Sequence, residues 1–252
     1  MPGKDRPGAE WLKYHQATKY AVPPARLERE EWPPSWVRVD YKQYPKAAKE
    51  ALPTPTLDAP ASLLEVLAGR RTTRAFARQR VATQALSQLL HLACGLRVAG
   101  APDIGNRTYP SAGARYPLEI YSAVRSVEGV ERGLYHYLLL EHALEQLGRS
   151  RMDTLFNSLV DDWMRDASLL IIVTAIFERN FRKYGQRGYR DVLIEAGHVG
   201  QNLALVSTAL GLGWCGVGAY LDDVVNEAIG IDGTNETVIA MHLIGLPAAS
   251  SR

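Results

Sequence analysis

Five consecutive residues, Arg70-Arg71-Thr72-Thr73-Arg74, place three guanidinium groups and two hydroxyls within one turn of chain. Such a cluster can hold a phosphate dianion through bidentate, charge-assisted hydrogen bonds. On composition alone a solvated basic turn is the simpler reading. Pro110 to Pro117 is a loop of small residues, P-S-A-G-A-R-Y-P, whose backbone can approach a flat ring closely. Lys183 and Tyr184 stand side by side in a charged, aromatic stretch. By default such a pair is an exposed cation and a packed ring. Glu195-x-x-His198 sets a carboxylate and an imidazole on one helical face, as in di-iron bundles, but those sites need a second such pair and two further glutamates. Hydrogen bonding within the core or to a neighbouring loop is the better account, and no metal site is expected. Gly211-x-Gly213-x-x-Gly216 matches the dinucleotide fingerprint in form only, because that motif requires a strand before the glycines and a helix after them. Here a helix precedes. No Ser-His-Asp or Cys-His signature stands out, and His91 reads as a surface or core histidine.

The element that must position these groups is a long helix from Asp191 to Leu210, apolar or small at 192, 193, 196, 199, 200, 203, 206, 207 and 210. Gly211 is placed to end it in the left-handed conformation. Before it, Ser62 caps a short helix to Ala68 that stops at Gly69. Thr83 caps a second, with Leu86, Leu89, Leu90 and Ala93 inward and Gly95 at its end. Strands are expected at Leu118–Val124, twice within 133–147, at Leu169–Phe177 and at Thr237–Gly245, with helices over Met152–Val160 and Asp222–Ala228. The continuous apolar run at Leu169–Phe177 reads as the central strand, buried on both faces. Ten of the fourteen prolines fall in the first 60 residues together with Trp11, Trp32, Trp36, Tyr41 and Tyr44. Residues 1–60 are therefore expected to form an arm that wraps the main domain, residues 61–252, or a partner subunit.

Several ordered motifs carry a resemblance: K-Y-G-x-R-G-Y-R at 183–190, E-A-G-H-x-x-Q-N-L at 195–203 and G-L-G-x-C at 211–215. With them stand Tyr14 to Lys19, Arg70 to Arg74 and Pro110 to Pro117. Together they resemble the azoline dehydrogenases of thiazole- and oxazole-forming gene clusters, a branch of the FMN-dependent nitroreductase superfamily. The resemblance implies an α+β fold, a mostly antiparallel sheet flanked by helices, and a homodimer with FMN at its interface. It assigns flavin contacts to Arg70, Arg71, Thr72, Arg74, Pro110, Ser111, Ala112, Gly113, Trp214, Cys215, Gly216, Val217 and Gly218, the 110–117 loop being lent by the neighbouring subunit. Lys183 and Tyr184 are implied as the pair that removes a proton; Arg182, Arg187 and Arg190 can keep the lysine partly neutral, and the division of roles stays open. Arg115, Tyr116, Arg187 and Arg190 are candidate substrate contacts, Arg115 standing where an apolar residue is expected. No cation follows the last strand before Arg252, so Arg70 and Arg74 are expected to carry more of the phosphate charge. The implied activity is FMN-dependent two-electron oxidation of a thiazoline or oxazoline, in a peptide or small heterocycle, to the azole. The alternatives are an NAD(P)H-dependent nitro, quinone or ene reductase, and a flavin-bearing scaffold subunit beside other biosynthetic enzymes.

Composition limits the field further. The chain of 252 residues is long enough to bury about three quarters of its unfolded surface. Its 29 basic and 27 acidic residues give a net charge of +2, which offers no electrostatic case for nucleic acid or anionic membrane. The first residues lack the apolar run of a signal peptide, and Leu169–Phe177 is too short for a span of about twenty residues. Cys94 and Cys215, far apart, read as reduced thiols of a cytoplasmic protein.

Overall fold

The computed structural model describes residues 10–20, 22, 27–56, 61–97 and 106–249. Arg252, the one cation after the last strand, lies outside them. The centre is a seven-stranded, wholly antiparallel sheet: β1 (Ala48–Ala51), β2 (Leu118–Val124), β3 (Gly133–Leu138), β4 (Ala143–Gly148), β5 (Leu169–Ile176), β6 (Gly213–Val217) and β7 (Glu236–Gly245). Their order across the sheet is β1-β4-β3-β2-β5-β7-β6.

β5 divides its side chains by the two-residue period of a strand. Leu169, Ile171, Val173 and Ala175 join one core cluster, while Leu170 and Ile172 join the other. Helices α4 (Thr83–Cys94) and α7 (Gly188–Ala209) cover the first face; α5 (Ser150–Asn157) and α8 (Asp222–Ile229) cover the second. Strands this apolar need cover on both sides, and the helices supply it. Cys94 and Cys215 are buried and unpaired. Among the described residues no helix is long and apolar enough to cross a membrane.

Local signals explain most element ends. Ser62 and Glu65 form a reciprocal capping box at the start of α3 (Leu63–Gly69). Gly211, at φ 69°, follows α7 in the left-handed region. Thr83 is the first residue of α4 rather than its cap; Ala82 precedes it, and the Thr83 hydroxyl donates instead to the Glu128 carbonyl. The glycine-bearing stretch after α7 is itself edge strand β6. Gly213 has no room for a side chain there, since a Cβ would lie 2.7 Å from Thr73 Cγ2.

The arm is tied into the body at three levels. α1 (Glu10–Ala17) docks on the start of α7, where Tyr14 meets Tyr189 edge-on at 4.9 Å. α2 (Pro34–Val37) is fixed by the Trp36 indole, which donates to the Arg182 carbonyl at 2.8 Å. Further on, Lys42 pairs with Glu236 at 2.5 Å and the Tyr44 amide donates to Glu145. β1 then pairs with β4, so residues 48–51 of the segment read as the arm belong to the sheet.

Candidate active site

α7 organises the site. Val192, Val199 and Leu203 face the core, while Leu193, Ile194, Gly197, His198 and Gln201 are exposed. The 3.6-residue period leaves a hollow on each side of that exposed stripe.

One hollow, of about 270 Å³, is lined by Pro110, Ser111, Ala112, Asp191, Ile194, Glu195 and His198. Glu195 is 1 % exposed. Its Oε2 accepts from the Ser111 hydroxyl at 2.5 Å, and its Oε1 has no protein partner among the described residues. Burial pushes its carboxyl up to about 8, with only partial relief from the Ser111 hydrogen bond and the charges of Arg107 and Arg179. The expected bond to a neighbouring loop is thus present, but a carboxyl held neutral near pH 7 beside a cavity is more than packing.

Beyond the same loop stand the catalytic candidates. Lys183 and Tyr184 end helix α6 (Glu178–Tyr184), not a loop as their sequence suggests. Glu178 lies in its first turn and Arg182 and Lys183 in its last, complementing the helix dipole, and Phe177 stacks on Tyr189 at 5.2 Å. A Cβ at Gly113 would sit 2.3 Å from the Tyr184 hydroxyl and 3.2 Å from Lys183 Nζ, so both functional atoms converge on that glycine. Gly113 has φ 59°, and Ala114 (53°) and Tyr116 (47°) share the left-handed region. For the two non-glycine residues this costs about 1–2 kcal/mol each. Anchors hold the turn: the Tyr116 amide donates to Ser111 Oγ, Arg179 donates to the Tyr116 carbonyl, and Arg115 donates to the Gly113 and Arg38 carbonyls.

Two indoles from the arm form a lid over Lys183 that no sequence motif announces. The Lys183 Nζ lies 3.4 Å from the centroid of the Trp32 ring and 5.5 Å from that of Trp36. Partial burial and the Arg115 charge lower the Lys183 pKa, whereas an indole face favours the ammonium. Burial, then Asp191, raises that of Tyr184.

Other candidates sit elsewhere than expected. Arg115 is buried and directs its donors to backbone carbonyls, so it meets neither bulk solvent nor an open cavity. Tyr116 packs in the core, its hydroxyl accepting from the Arg107 amide. Arg187 and Arg190 hold the arm: Arg190 donates to Thr18 Oγ1 at 2.6 Å and to the His15 carbonyl, and Arg187 reaches the Thr18 carbonyl. That assigns a structural part to the Tyr14–Lys19 motif.

Arg179, which no sequence motif marks, links this region to a buried polar chain. It pairs with Glu119 at 2.6 Å; Glu119 meets His136, and His136 meets Glu145. Despite burial, the His136 hydrogen bond and the Arg179 charge hold the Glu119 carboxyl at about 2.

The second hollow, of about 360 Å³, lies between α7 and the edge strand. Small residues Ala196, Gly197 and Gly200 form its floor, with Trp214, Gly216 and His242 beside them. Trp214 and His242 stack at 5.7 Å, and the Trp214 Nε1 and both His242 ring nitrogens have no partner among the described residues. Burial depresses His242 to about 4, so it is neutral at pH 7. The Arg70–Arg74 segment runs alongside, the Thr73 amide donating to the Trp214 carbonyl at 2.8 Å. Among the described residues Arg70, Arg71 and Arg74 make no ion pair. A smooth floor, unpaired buried polar atoms and uncompensated guanidiniums suit a flat heteroaromatic ring bearing a phosphate.

Within one chain, then, the predicted residues form two groups on opposite flanks of α7. Arg70–Arg74 and Trp214–Gly218 lie on one; Pro110–Gly113, Lys183 and Tyr184 lie on the other.

A model of the Nitroreductase family matches residues 67–246. A Methanocaldococcus jannaschii protein, provisionally named a nitroreductase, is 38% identical over 174 residues, 67% of this chain and 84% of its own. The microcin B17-processing protein McbC of Escherichia coli is 34% identical over 145 residues, 52% of each chain. Among solved structures, a nitroreductase-like protein of Anabaena variabilis superposes with a TM-score of 0.74 at 27% identity, over 98% of this chain and 49% of that one. A chain of the E. coli microcin synthetase McbBCD complex, solved with truncated pro-MccB17 bound, gives 0.65 at 26% identity, over 92% of this chain and 85% of that one. The chain thus spans about half the length of McbC and of the Anabaena protein. The antiparallel sheet between helix layers, the small-residue face of α7 and a match over residues 67–246 place this chain in the nitroreductase family.

Proposed function

We propose that this chain is an FMN-dependent dehydrogenase that oxidises a thiazoline or oxazoline ring, carried on a peptide or small heterocycle, to the aromatic azole. The observation that carries this reading is the convergence of Lys183 Nζ and the Tyr184 hydroxyl on Gly113. Support comes from likeness to a protein that processes microcin B17.

Arg70, Arg71 and Arg74 would hold the FMN phosphate, with Thr72 beside them, and the Trp214–Gly218 backbone would border the ring. FMN, when bound, supplies the acceptor for two electrons and one hydrogen from the substrate. The protein must take the remaining proton. Lys183 is the base in this reading, because its pKa is shifted toward the neutral amine a base requires, whereas Tyr184 is shifted away from the phenolate. The Tyr184 hydroxyl then orients the substrate. Glu195, neutral below about pH 8, keeps negative charge away from a carbon that must release a proton.

The split of the site across α7 favours a homodimer, in which Leu193 and Ile194, 41% and 57% exposed, meet a second copy. Each copy would lend its Pro110–Gly113 loop to the other. Peptide-modifying partner proteins are proposed on the same likeness to McbC.

The test is conversion of a synthetic thiazoline peptide, followed by the mass loss of two hydrogens per ring. Lys183→Ala should retain flavin and lose conversion by at least about a hundredfold, the lower range for a general base. Unchanged conversion in that variant would remove the assignment.

A further inference from the structure

The end of the sheet opposite the Pro110–Pro117 loop carries a row of arginines with no part in the chemistry above. Arg149 directly follows β4, Arg132 directly precedes β3, Arg125 directly follows β2, and Arg165 stands four residues before β5. Those four strands are neighbours in the order β4-β3-β2-β5, so antiparallel pairing brings these ends to one edge. Three strand spacings span about 14 Å. Arg78 and Arg80 join the row from the segment before α4, which is held alongside: the Glu128 amide donates to the Val81 carbonyl, and the Ser168 hydroxyl donates to the Gln79 carbonyl.

Two adjoining hollows, of about 470 and 330 Å³, open between these side chains and share Arg125, Ser126 and Arg132. The six guanidiniums meet four carboxylates: Arg78 with Asp166, Arg132 with Asp153, Arg149 with Glu131 and Arg165 with Asp162. Arg80 and Arg125 have no carboxylate partner among the described residues, and Arg125 is steadied over the Phe156 ring at 5.2 Å. The groove is therefore locally positive on a chain whose net charge is only +2.

We propose that this groove binds an extended acidic peptide segment. Guanidinium forks match carboxylates in a bidentate manner. A length of about 14 Å accommodates four to five residues of an extended chain at about 3.4 Å each. The carboxylates already at the rim set a peptide apart from a nucleic acid, whose denser charge they would repel. β2 separates the groove from the Pro110–Pro117 loop by about 20 Å, so an occupant would leave the Lys183 and Tyr184 side of the candidate site open.

The test uses the full chain and fluorescence anisotropy of a fluorescein-labelled hexaglutamate peptide, with hexaserine and a single-stranded hexanucleotide as comparisons. Saturable, salt-sensitive binding of hexaglutamate and none of hexaserine is the expected result. The exposed substitutions Arg80→Glu and Arg132→Glu should each weaken it by about two- to fivefold, the range for one exposed ion pair, with the thermal melt unchanged. Absence of saturable binding, an affinity unchanged from the wild type in both variants, or tighter binding of the hexanucleotide would overturn it.

Discussion

Replacing Glu195 with glutamine tests whether a neutral carboxyl is built into the first hollow. In the unfolded chain this carboxyl titrates near 4.5, and in the fold burial raises it to about 8. Below pH 4.5 the group is neutral in both states and leaves stability unchanged. As pH rises from 4.5 to 8 the unfolded chain ionises while the fold resists, so stability falls. The interval of 3.5 between the two values, at 1.36 kcal/mol per pH unit, approaches about 5 kcal/mol as pH passes 8. Glutamine keeps the acceptor for Ser111 and does not ionise. Urea denaturation from pH 5 to 9 should therefore show the variant gaining on the wild type by several kcal/mol as pH rises, with most of the gain between 5 and 8. A constant difference across that range would refute the claim that Glu195 is held neutral. A wild type whose stability rises relative to the variant would reverse its sign.

Other perturbations address the remaining parts. Trp32→Leu removes the indole from Lys183; loss of a cation–π contact of about 0.5–1 kcal/mol should lower the pKa seen in the kcat/KM profile by about half a unit, and an unmoved profile would deny the lid a role. Arg70→Ala combined with Arg74→Ala should weaken FMN binding at least about a hundredfold, since each charge-assisted contact contributes about 1.5–3 kcal/mol; titration by flavin fluorescence decides this. Glu236→Leu removes the carboxylate that pairs with Lys42 and accepts from Tyr121 and Thr174, and should lower unfolding free energy by about 3–5 kcal/mol by chemical denaturation.

The sheet and its helices are largely legible in the sequence because apolar periodicity reports burial, as β5 and α7 illustrate. Capping chemistry locates α3 through Ser62 and Glu65. What escapes is set by contacts distant in sequence. α6 reads as a loop because its charged residues hide the apolar contacts of Phe177 and Phe181. β6 contains glycines, and Gly213 is required by Thr73, some 140 residues earlier. Arg187 and Arg190 read as substrate ligands, yet their acceptors lie on the arm at His15 and Thr18. The charge balance of Arg179, Glu119, His136 and Glu145 spans three strands and a helix, so no local motif announces it. Glu195 stands out in the sequence by its spacing from His198, but its neutral state follows from depth, which spacing does not encode.

The central claim, that this chain holds FMN and uses it to oxidise a substrate, is tested most directly by the visible absorption spectrum of the purified protein, followed by anaerobic NADPH and then a thiazoline peptide. The predicted result is a bound flavin spectrum that NADPH leaves intact and the peptide bleaches. Prompt bleaching by NADPH with none by the peptide would instead make the chain a reductase, and a protein that cannot be loaded with FMN would contradict the claim at its base.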